Sequence, residues 1–393
     1  MKIEILLILT IATIFASGEV CTKNDKSGVC KPLSDCKTAL DDFRKYKRRP
    51  QMCKGNDGKV CCVERVKSYS HDSNTPLGTM PPPDQSPCEP IARNLTAERT
   101  GRKSWDKCLE YQEKLIYPCR VSNTPLGGKI RLDFCNRKPD SLIIGGEDAY
   151  EGEFPHMVLL GFGNVTSESS WGCGGVLVSE RFILTAGHCI SSKEFGPVTD
   201  AKVGILERSA EVDSTRRYKI KRIIKHPDYQ APSKYNDIAL LETDREITLD
   251  NLAVPACLYD GHPINDSSAI VTGWGTTVFR YNKISNILQK VTLQKFSDED
   301  CSRTYAPNSR GMRHMKKGYN STTQMCFGDW HKKKDSCNGD SGGPAQIKHP
   351  QIYCMYSVVG ITSWGRECGH PGQPAIYTRV AGFIPWIESI VWP

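Results

Sequence analysis

The chain has 393 residues, 38% of them hydrophobic and 24% charged, and carries a formal net charge of +8. This is the make-up of an ordinary globular protein, with room for one large domain and one or two small ones. No apolar stretch exceeds the roughly eleven residues from Ile5 to Phe15, which is too short to cross a bilayer and argues against a transmembrane anchor.

That first stretch follows Lys2 and precedes the small residues Ala16 and Gly18, the layout of a secretory signal peptide over 1–18. The mature chain is therefore expected to be secreted and extracellular. Eighteen cysteines, an even number, fit a disulfide framework formed in an oxidising compartment. No CxxC pair has zinc spacing, so neither a metal nor a cofactor is expected. Sequons at Asn94, Asn164, Asn265 and Asn320 would lie on the surface if glycosylated. The basic runs Arg44 to Arg49 and Lys332 to Lys334 read as solvated faces, and nucleic acid is not an expected partner.

In chain order, Cys21, Cys30, Cys36, Cys53, Cys61 and Cys62 fall within 19–66, a segment too short to bury a real core without cross-links. Their spacing leaves the pairing open. Residues 67–142 read as a linker. Ser, Pro, Asp and Gly dominate its first part around Pro81-Pro82-Pro83, and a short amphipathic helix is predicted between Lys103 and Tyr117. Trp105, Cys108, Leu109, Gln112, Leu115 and Ile116 share one helical face there. The hexapeptide Ser-Asn-Thr-Pro-Leu-Gly stands at 73–78 and again at 122–127, too short a unit to build a repeat fold. From Ile143 to the end, short strands punctuated by Gly, Pro and Asn predict an all-β domain. Val380, Phe383, Ile384, Ile387, Ile390 and Val391 recur at helical intervals and predict a closing helix.

The chemistry is carried by three motifs inside 143–393. A serine hydroxyl attacks only with a base in reach, an orienting group behind that base, and donors for the oxyanion. Ser341 stands in Gly339-Asp340-Ser341-Gly342-Gly343-Pro344, where the amides of Gly339 and Ser341 can converge as an oxyanion hole. His188 stands in Thr185-Ala186-Gly187-His188-Cys189, and Asp237 in Tyr235-Asn236-Asp237-Ile238-Ala239-Leu240-Leu241. Each motif alone is ordinary loop composition. Together they follow the order His, Asp, Ser at intervals of roughly fifty and one hundred residues, which matches the chymotrypsin order and not those of subtilisin or the α/β-hydrolases.

On these motifs, residues 143–393 resemble the chymotrypsin/trypsin family of peptidases. The six-cysteine segment ending in Cys61-Cys62 resembles an arthropod clip domain, and the whole chain is similar to clip-domain serine proteases of the snake-like type. The resemblance implies a chymotrypsin-like pair of six-stranded antiparallel β-barrels with the site in the cleft between them. In it His188 is the general base, Asp237 its orienting partner and Ser341 the nucleophile, while Ser363, Trp364 and Gly365 support the site and the substrate backbone. Asp335, six residues before the nucleophile, matches the base of a pocket for Arg or Lys. Ala375 stands where the pocket wall ordinarily has glycine.

Further implications concern activation and partners. Ile143-Ile144-Gly145-Gly146 resembles a new N-terminus whose ammonium pairs with Asp340 after cleavage, and the residue before that bond is Leu142. The activating protease is then expected to prefer an apolar residue, the substrate to be a downstream zymogen, and the inhibitor to be of the serpin type, within a clotting, melanisation, immune or patterning cascade. The bridges implied are Cys173–Cys189, Cys301–Cys326, Cys337–Cys368 and a tether Cys135–Cys257, with Cys88, Cys108, Cys119 and Cys354 left unassigned. Two other readings compete: a non-catalytic clip-domain scaffold, which the intact Ser341 disfavours, and a terminal venom or digestive effector.

Overall fold

The structure is a computed structural model. It describes residues 20–23, 26–36, 39, 50–53, 59–62, 88–121, 129–136, 146–163, 170–261, 267–278, 283–307, 314–331, 339–365 and 370–393. The chain divides into two compact units, residues 1–80 and 81–393.

In the first unit the strands Val20–Lys23, Lys26–Pro32 and Lys59–Cys62 form one antiparallel sheet. Among its described residues Cys36, Ala39, Val60 and Cys62 form one small buried cluster with Leu33 against it, and Cys30 and Cys61 are buried as well. Bridges Cys21–Cys61, Cys30–Cys53 and Cys36–Cys62 take the place of a core. They choose one pairing among those the spacing left open.

The second unit holds two closed barrels. The first is built from β1 (Met157–Phe162), β2 (Trp171–Leu177), β3 (Phe182–Thr185), β4 (Gly196–Val203), β5 (Arg217–Lys225) and β6 (Ala239–Thr243). It closes where β4 pairs with β1, Ala201 opposite Leu160. The second uses β7 (Ser268–Gly273), β8 (Gln289–Lys295), β9 (Gln324–Gly328), β10 (Pro344–Lys348), β11 (Tyr356–Trp364) and β12 (Ala375–Arg379). It closes where β11 pairs with β12. Closure gives each of these twelve barrel strands a neighbour on both sides.

Several strands are buried on both faces. Leu177, Ile183 and Leu241 fill the first barrel, while their neighbours Val176, Leu184 and Leu240 face a second cluster shared with Val358 and Ile361 of the other barrel. This is why the sequence shows runs such as Gly175-Val176-Leu177-Val178 rather than a clean alternation. The same shared cluster receives Val380 and Phe383 from a 3-10 turn, and Ile384, Ile387 and Val391 from α2 (Ile384–Val391). The closing helix therefore clamps the junction between the barrels.

The segment 88–136 is more than a spacer. Helix α1 (Lys103–Tyr111) continues through a π turn at Gln112–Ile116, and Cys108, Leu109, Tyr111, Ile116 and Tyr117 are buried against Val254, Cys257, Ile352 and Met355 of the barrel body. Each large apolar side chain so buried contributes about 1.5–3 kcal/mol before entropy is counted. Polar contacts fix the helix in register: the Ser104 amide and hydroxyl donate to Glu388 Oε1 at 2.9 and 2.6 Å, and Tyr111 Oη donates to Glu180 at 2.8 Å.

Three bridges tie down this segment: Cys88–Cys119, Cys108–Cys257 and Cys135–Cys354. The expected tether Cys135–Cys257 is thus corrected. The inner face of α1 lays Cys108 against the strand Cys257–Leu258, so Cys257 is already occupied. Cys135 instead follows Phe134, whose amide donates to Ile116 O at 2.8 Å, and meets Cys354 beside Tyr353, whose amide donates to Leu95 O at 2.9 Å.

Candidate active site

Asp237 is placed by a sharp turn. Asn236 before it has φ 51°, a left-handed conformation that Asn tolerates better than most residues. The chain then enters β6, and the carboxylate points inward with no solvent exposure. His188 lies on a 3-10 turn (Gly187–Ile190) just after β3, the strand paired with β6, so one sheet register brings the two together. Its imidazole remains partly exposed, at 24%.

Both carboxylate oxygens are used. Oδ1 accepts the His188 backbone N–H at 2.8 Å, while Oδ2 lies 2.8 Å from His188 Nδ1 and accepts the Ser363 hydroxyl at 2.5 Å. Burial alone would raise the Asp237 pKa, but the His188 charge and hydrogen bond, with Lys234 and Ser363, hold it far below the usual carboxylate range. An ionised carboxylate can only accept, so the imidazole proton sits on Nδ1 and the Nε2 lone pair is left to take a proton. Thr378 Oγ1 also donates to the Asp237 carbonyl at 2.9 Å, which fixes the backbone from the second barrel.

Ser341 lies in the loop that leads into β10, partly exposed, and its carbonyl accepts the Gly174 N–H at 2.7 Å. Gly174 follows Cys173, which is bridged to Cys189 next to His188. This short path brings the serine loop to the histidine turn. Two glycines permit the approach. Gly342 has φ +79° and packs so closely that a Cβ there would lie 2.5 Å from Gly174 O and 2.3 Å from Thr185 Oγ1. Gly339 has φ +103°, with Gly275 Cα 2.8 Å from where its Cβ would stand. Asp340, between Gly339 and Ser341, accepts the Gly275 N–H at 2.9 Å.

Ser363 is buried, and Trp364 follows it at the end of β11. Ala375 opens β12 at 2% exposure, its methyl 3.4 Å from the point where a side chain on Gly365 would begin. Asp335, Leu142, Ile143, Cys337, Cys368, Asn164 and Asn265 lie outside the described residues. Asn94 and Asn320 are exposed, and Cys301 is bridged to Cys326. Among the described residues, the groupings with metal-ligand proximity are Cys21, Cys30 and Cys53; Cys108, Cys257 and His349; and Cys173, His188 and Cys189. Each contains disulfide-bonded cysteines, whose sulfurs are not thiolates, so none fits a metal.

Sequence reasoning missed Lys234. Its ammonium nitrogen is 3.5 Å from Asp237 Oδ2 and the residue is 9% exposed. A lysine among Pro, Ser and Asn reads as solvated, and its one signal was its place three residues before Asp237. Thr378 gave none.

Residues 143–387 match the protein-family model described as Trypsin. "Serine protease snk" of Drosophila melanogaster is 31% identical over 382 residues, 95% of this chain and 79% of that protein. "CLIP domain-containing serine protease B10" of Anopheles gambiae is 26% identical over 415 residues, 98% of each chain. "Phenoloxidase-activating factor 3" of Holotrichia diomphalia is 33% identical over 274 residues, 65% of this chain and 74% of that protein. No helix among the described residues is long and apolar enough to cross a membrane.

Proposed function

The chain belongs to the trypsin family of serine proteases and is a clip-domain serine endopeptidase, and on that premise we propose that it is a secreted zymogen, cut after Leu142, that then cleaves other proteins after Arg or Lys. The observation that carries the mechanism is the buried Asp237 carboxylate, spent on His188 through both oxygens. With the proton fixed on Nδ1, Nε2 takes the Ser341 proton as Oγ attacks the peptide carbonyl. The amides of Gly339 and Ser341 stabilise the oxyanion. His188 then returns the proton to the leaving amine, and water releases the acyl group by the reverse sequence.

Asp335 is the pocket base that selects a cationic side chain, because a buried carboxylate left unpaired is costly. The cut frees Ile143, whose ammonium pairs with Asp340 and orders the oxyanion hole. An enzyme selective for Arg or Lys does not cut efficiently after Leu142, so activator and product are different enzymes. This supports a place in a cascade, as does the similarity to the protein named Phenoloxidase-activating factor 3. Because Cys108–Cys257 and Cys135–Cys354 both span the cut, the upstream segment stays on the catalytic domain after activation. The test is hydrolysis of Arg and Lys peptides before and after cleavage at Leu142.

The pocket wall yields a separate expectation. Ala375 stands where the pocket wall ordinarily has glycine, and its methyl is expected to cost about 1–3 kcal/mol against a long cation. Ala375→Gly is expected to raise kcat/KM on arginine peptides about ten- to a hundredfold, with lysine peptides changed by a different factor. Unchanged turnover on both would remove the methyl from the account.

A further inference from the structure

Lys202 is a charged residue buried away from the catalytic side chains. It lies on β4 between Ala201 and Val203, which both fill the first barrel, so its side chain leaves on the outer face, and it is only 6% exposed there. The loop that follows folds back over it. Lys202 Nζ donates to Arg208 O at 3.1 Å and to Ala210 O at 2.9 Å, and stands 4.6 Å from the centre of the Trp171 ring. An ammonium can only donate, and carbonyl oxygens with an aromatic face are what a desolvated cation requires. The loop is built around its own cation.

That loop also seats a segment that reaches the nucleophile. The Trp274 indole N–H donates to Leu206 O at 3.0 Å, and the Leu288 amide donates to the same oxygen at 2.9 Å. In the other direction the Arg208 amide donates to Asn286 O at 2.7 Å and the Ser209 amide to Asn286 Oδ1 at 2.9 Å. Trp274 is followed by Gly275, whose carbonyl accepts the Ser285 N–H at 3.1 Å and whose own N–H donates to Asp340 Oδ1 at 2.9 Å. Asp340 stands between Gly339 and Ser341. A second contact runs in parallel, since Trp171, beside the ammonium, belongs to the same buried cluster as Trp274 and Leu288.

We infer that Lys202 is a positioning residue for the reaction: its ammonium gathers the carbonyls of Arg208 and Ala210, and the loop so held keeps Trp274 and Gly275 where Gly275 fixes Asp340 beside the nucleophile. The inference rests on the serine endopeptidase reading. Without the cation, two inward carbonyls lose their donor and the loop opens to hydrate them. Leu206 O moves with it. The loss falls mainly on kcat, because the amides beside Asp340 act on the oxyanion in the transition state. Arg217 stands 5.6 Å from the same ring but is held by Asp200 at 2.8 Å, and the Arg208 guanidinium donates to Trp171 O, so both are engaged elsewhere.

Lys202→Met, Lys202→Ala, Trp274→Phe and the double variant Lys202→Met with Trp274→Phe are made in the full chain. In the cut enzymes Lys202→Met is expected to lower kcat about ten- to a hundredfold while KM stays within about twofold. Trp274→Phe removes the indole donor and should lose part of the same activity, and the double variant should lose no more than Lys202→Met alone. In Lys202→Ala, n-propylammonium should restore kcat, measured against wild type at the same concentration, and 1-propanol should not. In the uncut chain, which needs no turnover, amide hydrogen exchange is expected to quicken about tenfold in 204–210 and 273–276 with β9 and β12 unchanged, a pattern that a general loss of stability does not give. Wild-type kcat in Lys202→Met, additive losses in the double variant, or rescue that is absent or equalled by 1-propanol would each overturn the inference. An inactive cut wild type with the exchange pattern intact would count against the endopeptidase reading and leave the support of Gly275 by Lys202 standing.

Discussion

Asp237→Asn in the cut enzyme is expected to lower kcat about ten-thousandfold while peptide binding changes little. The side chain keeps its size, so the shell around it is preserved. Its chemistry is inverted: an amide nitrogen takes the place of one acceptor oxygen among the His188 N–H, the Ser363 hydroxyl and Lys234, all of which donate. The amide settles that conflict by turning its NH2 toward His188 Nδ1, which moves the imidazole proton to Nε2. A protonated Nε2 accepts nothing from Ser341. The cost is therefore confined to the chemical step, and a loss smaller than about a hundredfold would mean that Asp237 does not set the tautomer.

Gly342→Ala is expected to damage both the fold and the rate. Its φ of +79° costs a non-glycine residue about 1–3 kcal/mol, and the new methyl meets the hydroxyl of Thr185 and the backbone carbonyl of Gly174, the second of which no side-chain rotamer relieves. The serine loop must then withdraw from β2. A displacement of about an ångström at the nucleophile costs on the order of a hundredfold in kcat/KM. The accompanying loss of stability should lower Tm by roughly 5–15 °C for a domain of this size. Calorimetry of the uncut variant and peptide kinetics of the cut one separate the two effects. Wild-type values in both would show that the close approach of Gly342 and Gly174 is not required.

Sequence alone was most informative where chemistry demands particular residues in a particular order. The meeting of His188 with Asp237 was legible because few other arrangements use those neighbours at those intervals, and the Ser363 contact with Asp237 came with the family resemblance. The closing helix was legible because one face of it is buried against a mixed β core and the other is not. Strand faces were harder. Leu184 and Leu240 are as buried as Ile183 and Leu241, so no polar residue marks the outer face of the barrel at the junction. Bridge pairing in 88–136 could not be read from spacing, since it depends on where α1 docks, and that depends on contacts such as Ser104 with Glu388, which are far apart in the chain. Lys234 was missed for the same reason: only the folded loop shows that its amine faces Asp237 rather than water.

The central claim is that Ser341 is the nucleophile of an endopeptidase that is latent until the Leu142–Ile143 bond is cut. The most direct measurement treats purified full-length chain with a chymotrypsin-like protease, removes that protease, verifies Ile143 as a new N-terminus, and follows hydrolysis of Arg and Lys peptides, with Ser341→Ala carried in parallel. The account predicts activity that appears only after the cut, falls on basic residues and vanishes in the variant. Correctly cut protein that leaves every such peptide intact, or activity that survives in Ser341→Ala, would contradict it.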